Sequence, residues 1–245
     1  MDDPPLLADY ERALTPVRAG HDARRSVRRL TDPATPADVL LAFWIHHCAL
    51  GVAMTEPVEG WIRRAGRAVT RAGDAWLGRA LDAHASAEAD HHLLMLADLD
   101  RLVARWNATH SPLDTAELLG RPPTEPVRRY RGLHEDVIAG PAPHAQLAIE
   151  NEIELLSVRI GPGLVETVGA VLGPEVVAEL SFLTDHVELD VGHAHFNRRQ
   201  LGRLLDARPD LLAPLVTAGT AALAAYGDYL DACLDCAERL ASARA

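Results

Sequence analysis

His186, Asp190 and His193 stand at i, i+4 and i+7 in the stretch His186-Val-Glu-Leu-Asp190-Val-Gly-His193-Ala-His195-Phe-Asn197, so a helix projects all three from one face over two turns. Their neighbours Leu189, Val191 and Phe196 are not a surface composition, and this argues that the face is turned inward. A second stretch, His84-Ala-Ser-Ala-Glu88-Ala-Asp-His91-His92, lies on a stripe of Leu77, Leu81, His84, Glu88, His91, Met95, Leu99 and Leu102, spaced by three and four throughout. Glu88 and His91 therefore interrupt an otherwise apolar face. The plainer alternative is a mixed-charge surface helix, to which Asp90, Asp98 and Asp100 would belong. A third stretch, from Ala148 to Arg159, holds three glutamates. Helical geometry puts Glu154 and Glu150 on a face with Leu147 and Ser157, whereas Glu152 lines up with Arg159 as a solvated pair. Glu154 is the first choice for an inward carboxylate, Glu150 the second and Glu152 the third.

Imidazole and carboxylate on shared stripes are the donors of borderline and hard first-row metals, and they need no thiolate. Glu88, His91, Glu154, His186, Asp190 and His193 make six such donors, which suits two iron ions sharing bridging carboxylates. A ferritin-like di-iron bundle would need two E-x-x-H motifs, and this chain has one, at Glu88 to His91.

An H-x3-D-x2-H motif late in a helical chain, with a helix glutamate about thirty residues upstream and E-x-x-H earlier, resembles the haem-oxygenase-like di-iron oxidases and oxygenases. The resemblance covers roughly residues 36 to 205. It implies a haem-oxygenase-like helical bundle without haem, a pair of Fe(II) ions and dioxygen as co-substrate. Position by position it assigns Glu88 and His91 to the first pair, Glu154 to the middle glutamate, and His186, Asp190 and His193 to the final motif. His92 is the alternative to His91, and Glu150 the alternative to Glu154. Members of the group oxidise small molecules such as amino acids, fatty acids or biosynthetic intermediates by N-oxygenation, hydroxylation or C–C cleavage. That activity implies a small-molecule substrate and leaves room for an electron donor. Asn197, one turn beyond His193, could hydrogen-bond a ligand. His47 interrupts an apolar run and would face the cavity of such a bundle, although an ordinary buried histidine is the commoner role for it and for His46. Arg198 and Arg199 could hold a substrate carboxylate, or form a solvated face.

Two other readings stand beside this one. A metal-free relative of the thiaminase-like helical proteins would bind or hydrolyse a small heterocycle with a cysteine and carboxylates. A non-enzymatic helical partner protein would use its acidic surface and have no reason to gather Glu88, Glu154 and His186.

Composition narrows the field. The 245 residues carry 35 acidic and 24 basic side chains, a formal charge of −11, and every basic one is arginine. Without lysine there is no Schiff-base nucleophile and no lysine-bearing P-loop. The acidic balance argues against nucleic acid and anionic membranes as partners. Cys48, Cys233 and Cys236 are too few for a disulfide framework, and Cys233-x-x-Cys236 falls in a predicted helix without the βαβ context of a redox motif. The amino terminus carries acids where a signal peptide carries positive charge, no apolar run reaches about 18 residues, and the cytoplasm is the expected compartment. The sequon at Asn107-Ala-Thr109 carries no weight in that setting.

The elements that must position the donors are helices. Prolines open the apolar-periodic runs, where their missing N–H costs nothing, as at Pro36, Pro57, Pro126, Pro143, Pro174 and Pro209. Helices are predicted over 36–54, 57–70, 74–107, 126–138, 143–160, 163–172, 174–205 and 209–242, with 108–126 a loop containing one short helix. The expectation is an all-α fold in one domain spanning 1–245, with a homodimer as the base-rate assembly.

Overall fold

The computed structural model describes residues 5–243, and no strand occurs among them. Residues 1–4, the head of the acidic terminus, and 244–245 lie outside that range. Two helices precede the first predicted one: α1 (Pro5–Asp22) and α2 (Arg25–Leu30). Leu7, Tyr10 and Leu14 give α1 its buried side. What docks it is polar: the Tyr10 hydroxyl donates to Glu152 Oε1 at 2.9 Å, and the Arg18 guanidinium holds both Glu152 oxygens at 2.7 Å. Glu152 is thus fully buried, not the solvated partner of Arg159, which instead pairs with Asp22. A carboxylate removed from water at that depth needs such a bidentate cation to be tolerated.

The chain continues through α3 (Ala37–Thr55) and α4 (Val58–Arg71), close to expectation. The predicted helix over 74–107 is two helices, α5 (Ala75–Ala87) and α6 (His91–Asn107), parted at Glu88–Asp90 where Asp90 takes a left-handed φ of 65°. No glycine or proline marks this break, and aspartate is among the few residues that adopt αL at modest cost. Tertiary packing imposes it: α5 forms a hairpin with α4, while α6 turns away to lie on α3 and α11. The hairpin is a backbone-to-backbone crossing at Gly66 and Gly78, where a Cβ on Gly78 would meet Gly66 O at 2.8 Å and also strike Thr70 Oγ1.

Beyond the short α7 (Thr115–Leu119) and α8 (Glu125–Ala139), the two predicted helices over 143–172 fuse into α9 (Gln146–Val171) after a 3₁₀ turn at Pro143–Ala145. Pro162 sits inside α9. Its missing N–H forfeits one backbone bond, a cost of roughly 3 kcal/mol in isolation, and the packing of α11 along α9 outweighs it. The predicted 174–205 helix is split at Leu180 into α10 (Pro174–Glu179) and α11 (Ser181–Ala207). Asp98 of α6, fully buried, accepts from Ser181 N at 3.0 Å, Ser181 Oγ at 2.5 Å and Phe182 N at 2.8 Å. It caps α11 from outside the helix, satisfying N–H groups that have no intrahelical partner. After a second 3₁₀ turn, α12 (Leu212–Ser242) closes the fold.

Two apolar clusters hold these helices. One gathers Phe43, Trp44, Leu99 and Trp106 with Tyr229 and Leu234 of α12. The other joins Leu14 and Ile62 to Leu147, Ile149, Leu204 and Leu223. Each buried leucine contributes about 1.5–3 kcal/mol relative to exposure. Ile153 and Ile160 of α9 pack against both clusters, so α9 is the seam of the molecule. The segments Ala37–Arg71 and Pro209–Ser242 have the length and apolarity of a membrane span by composition, against the sequence expectation that no run would. In this fold they supply core helices, and most of the apolar window of the first is buried.

Candidate metal centre

The break between α5 and α6 is where the predicted ligands meet. His84 lies on the last turn of α5, Glu88 caps that helix and His91 opens α6. Across from them stand Glu154 of α9 and His186, Asp190 and His193 of α11. Two sets of donors fall within 4.8 Å of one another among the described residues: His84, Glu88, Glu154 and His193, and then Glu88, His91 and His186. Glu88 belongs to both. Its Oε1 lies 3.6 Å from His84 Nε2 and 3.3 Å from His193 Nδ1, and its Oε2 lies 3.0 Å from His91 Nδ1. One carboxylate thus turns one oxygen to each set.

The donors converge on shared space more than they bond one another. His84 Nε2 is 2.6 Å from Glu154 Oε1, yet the pair lacks the alignment of a hydrogen bond. His84 Nδ1 and Nε2, Glu88 Oε1, Glu154 Oε1 and His193 Nδ1 are all sealed from water without a hydrogen-bond partner. Orphaned buried groups cost about 1–3 kcal/mol each, and a cation at this point would satisfy several at once. The donor set therefore fits N/O-ligated metal.

Second contacts fix the ligands. Asn197 Nδ2 donates to Glu154 Oε2 at 2.5 Å, leaving Oε1 for the cluster. His186 Nδ1 donates to the Phe182 carbonyl at 2.7 Å, which sets the tautomer and frees Nε2. Asp190, 2% exposed, places Oδ1 3.5 Å from His193 Nδ1 and lines the adjoining cavity. Charge is tightly coupled here. Burial alone would raise Glu88, but His193, His84 and His91 outweigh it and hold its carboxyl far below the usual range. Asp190 and Glu88 lift His193 to about 10. Burial would lower His84, yet Glu154 and Glu88 bring it well above an ordinary imidazole.

Some expectations change. His84, placed on the stripe but not among the ligands, is 5% exposed and central to the first set. His92 joins neither set, and neither does Glu150. Arg198 reaches toward Glu11 at 3.6 Å and does not line the cavity, so it is no clamp for a carboxylate there. Leu189 and Val191 are 48% and 47% exposed, so the inward face of α11 is a narrow stripe rather than an enveloped helix. His47 does reach the cavity wall, where burial lowers it to about 3. Glu88, Glu154 and His186 are not scattered, as the partner-protein reading would have them.

Solved structures share this arrangement of helices. A domain of unknown function with a haem-oxygenase-like fold from Shewanella denitrificans superposes with a TM-score of 0.69 over 93% of this chain and 88% of that one, at 14% identity. The fold is haem-oxygenase-like. A TenA homologue from Pseudomonas syringae pv. tomato gives a TM-score of 0.72 over 95% of this chain and 94% of that one, at 13% identity. No protein-family model matches the sequence, and no curated protein matches it.

Within this haem-oxygenase-like bundle a cavity of about 140 Å³ adjoins the cluster. Phe43, Trp44, Ile153, Leu164 and Phe182 are among its walls, and Glu88, Glu154, His186 and Asp190 line its metal side. His193 and His91 keep side-chain exposures of 22% and 14%, so the cluster has solvent on one flank and the apolar chamber on the other.

Proposed function

We propose that the protein is a non-haem di-iron oxidase or oxygenase that uses dioxygen to oxidise a small organic molecule held in the apolar cavity. The observation that carries this reading is Glu88, whose two oxygens face separate sets of imidazoles, the disposition of a carboxylate shared by two ions. His84, Glu154 and His193 would hold one ion, and His91 and His186 the other. Asp190 stands beside His193 and completes the motif on α11. Two ferrous ions, if held by these residues, would supply electrons and open coordination positions for dioxygen chemistry.

The chain's own groups do the rest. Asn197 orients Glu154, the Phe182 carbonyl orients His186, and the rigid α9 and α11 fix the spacing of both. The apolar walls exclude water from the substrate's reacting end and present that end to the metal side of the chamber. The thiaminase-like alternative draws on the TenA homologue, a likeness of fold. That chemistry calls for a cysteine beside the carboxylates. Cys48 and Cys233 are buried elsewhere, and no cysteine lines the cavity among the described residues.

The test is dioxygen uptake by protein loaded anaerobically with Fe(II), followed together with visible absorbance on mixing. Wild type is expected to consume dioxygen with a transient band, and His186→Ala and Asp190→Ala to lose both. Undiminished uptake in either variant would overturn the assignment.

A further inference from the structure

His47 of α3 is a buried imidazole that the metal centre does not use. Its ring packs against Trp44, Tyr229 and Phe182, with centroids 5.1, 5.5 and 6.2 Å away, and its carbonyl accepts from the Tyr229 hydroxyl at 2.5 Å. Neighbours therefore fix the ring. Nδ1 of His47 and Nε1 of Trp44 are sealed within this wall without a partner. His47 Nε2 also lacks a partner among the described residues, but it is not sealed, and because His47 lines the chamber this nitrogen opens on it. The Phe182 ring that touches His47 also packs on His186, at 4.0 Å between centroids. Both imidazoles share one phenyl neighbour, so His47 stands close to the metal side.

The polar groups on the chamber wall apart from the metal ligands are uncharged at neutral pH. Burial lowers His47 to about 3 and lifts the Glu150 carboxyl to about 8. Tyr130 and Tyr226 line the same chamber, and neither hydroxyl has a hydrogen-bond partner among the described residues. A neutral imidazole carries one N–H and one lone pair, while a phenol or a protonated carboxyl both donates and accepts. A ligand hydroxyl matches all of these, because it also gives one hydrogen bond and takes another, whichever tautomer His47 adopts. Phe43, Trp44 and Phe182 supply the aromatic faces and edges on which a ring packs well. The volume of about 140 Å³ limits the ligand to one ring, since a cavity of roughly 150 Å³ admits benzene. We infer that the chamber takes a single-ring aromatic molecule bearing a hydroxyl, and that His47 Nε2 holds that hydroxyl beside the metal side.

This inference deepens the proposed function and takes from it that the cavity is the substrate chamber. Calorimetric titration of the metal-free protein with phenol and toluene, which are alike in shape and uncharged, tests it without any turnover. The raised imidazoles of the metal side can also bond a hydroxyl, so a His47 variant that leaves them in place assigns the preference. Phenol is expected to bind more tightly than toluene to wild type, and His47→Leu to weaken phenol about tenfold while changing toluene little. Toluene binding as tightly as phenol to wild type, no binding of either, or an unchanged preference in a folded His47→Leu overturns it. Should His47→Leu not fold, as circular dichroism would show, the ranking of the two ligands on wild type decides alone. Failure of the metal reading is separable: it appears as absent iron uptake in a protein that still prefers phenol.

Discussion

Glu88 serves two sets of imidazoles, so its loss and the loss of a terminal ligand differ in kind. Glu88→Gln keeps the volume but removes the shared charge and is expected to weaken both ions, whereas His84→Ala strips a donor from one set alone. Asn197→Ala leaves every ligand in place and frees the Glu154 carboxylate to turn. Metal affinity should fall by about 10–100-fold, measured by competition with a chelator, and the bond lost to a buried carboxylate should also cost about 1–3 kcal/mol of unfolding free energy. The late motif was legible at this scale because its spacing is a property of one helix. His84 was not. Its place on the stripe was readable, but E-x-x-H draws the eye to Glu88 and His91, and the carboxylate that His84 meets comes from Glu154 on the distant α9. Glu152 misled for a related reason. Helical alignment with Arg159 is local, while the Tyr10 and Arg18 groups that bury it come from more than 130 residues away.

The helices most responsible for the site are positioned by features with weak sequence signals. The α4–α5 hairpin depends on Gly66 and Gly78 lying backbone against backbone. Gly78→Ala must push α5 off α4, at a cost of about 1–3 kcal/mol in unfolding free energy, and it displaces His84 and Glu88 with it. Urea denaturation and metal stoichiometry should therefore both report the change. A variant as stable and as metal-competent as wild type would mean the crossing is looser than drawn. Asp98→Ala removes the cap of α11 and is expected to cost about 1–2 kcal/mol, which for a chain of this size lowers the thermal midpoint by several degrees. In the sequence Asp98 looked like one charge of a solvated face. Its role became visible only once α6 met the start of α11. The helix break at Glu88–Asp90, the fusion of α9 through Pro162 and the split at Leu180 share that cause. Where a helix stops in this fold is decided by what it packs on, as well as by local propensity.

At the scale of the whole chain, the all-α class was readable from the proline-opened apolar runs, yet α1 and α2 were missed because their anchoring is ionic and long-range. Buried histidines give the molecule a pH dependence. Burial lowers His21 and His46 to about 4 and His134 to about 3. In each case the unfolded chain takes up a proton near pH 6.5 that the native state refuses until lower pH. Stability is therefore fully present above pH 6.5 and lost as the pH falls toward 4, each group accounting for up to about 3 kcal/mol. His21 has no hydrogen-bond partner on either ring nitrogen, so His21→Leu is expected to flatten the loss of urea stability between pH 7 and pH 5. The same slope in both proteins would contradict that assignment. The central claim, two ions joined by one carboxylate, is tested most directly by anaerobic Fe(II) titration with metal analysis of the desalted protein. Two equivalents per chain are expected for wild type, about one for His84→Ala, and none retained by a folded Glu88→Gln. A wild type that retains no iron, or a Glu88→Gln that still holds two equivalents, would contradict it.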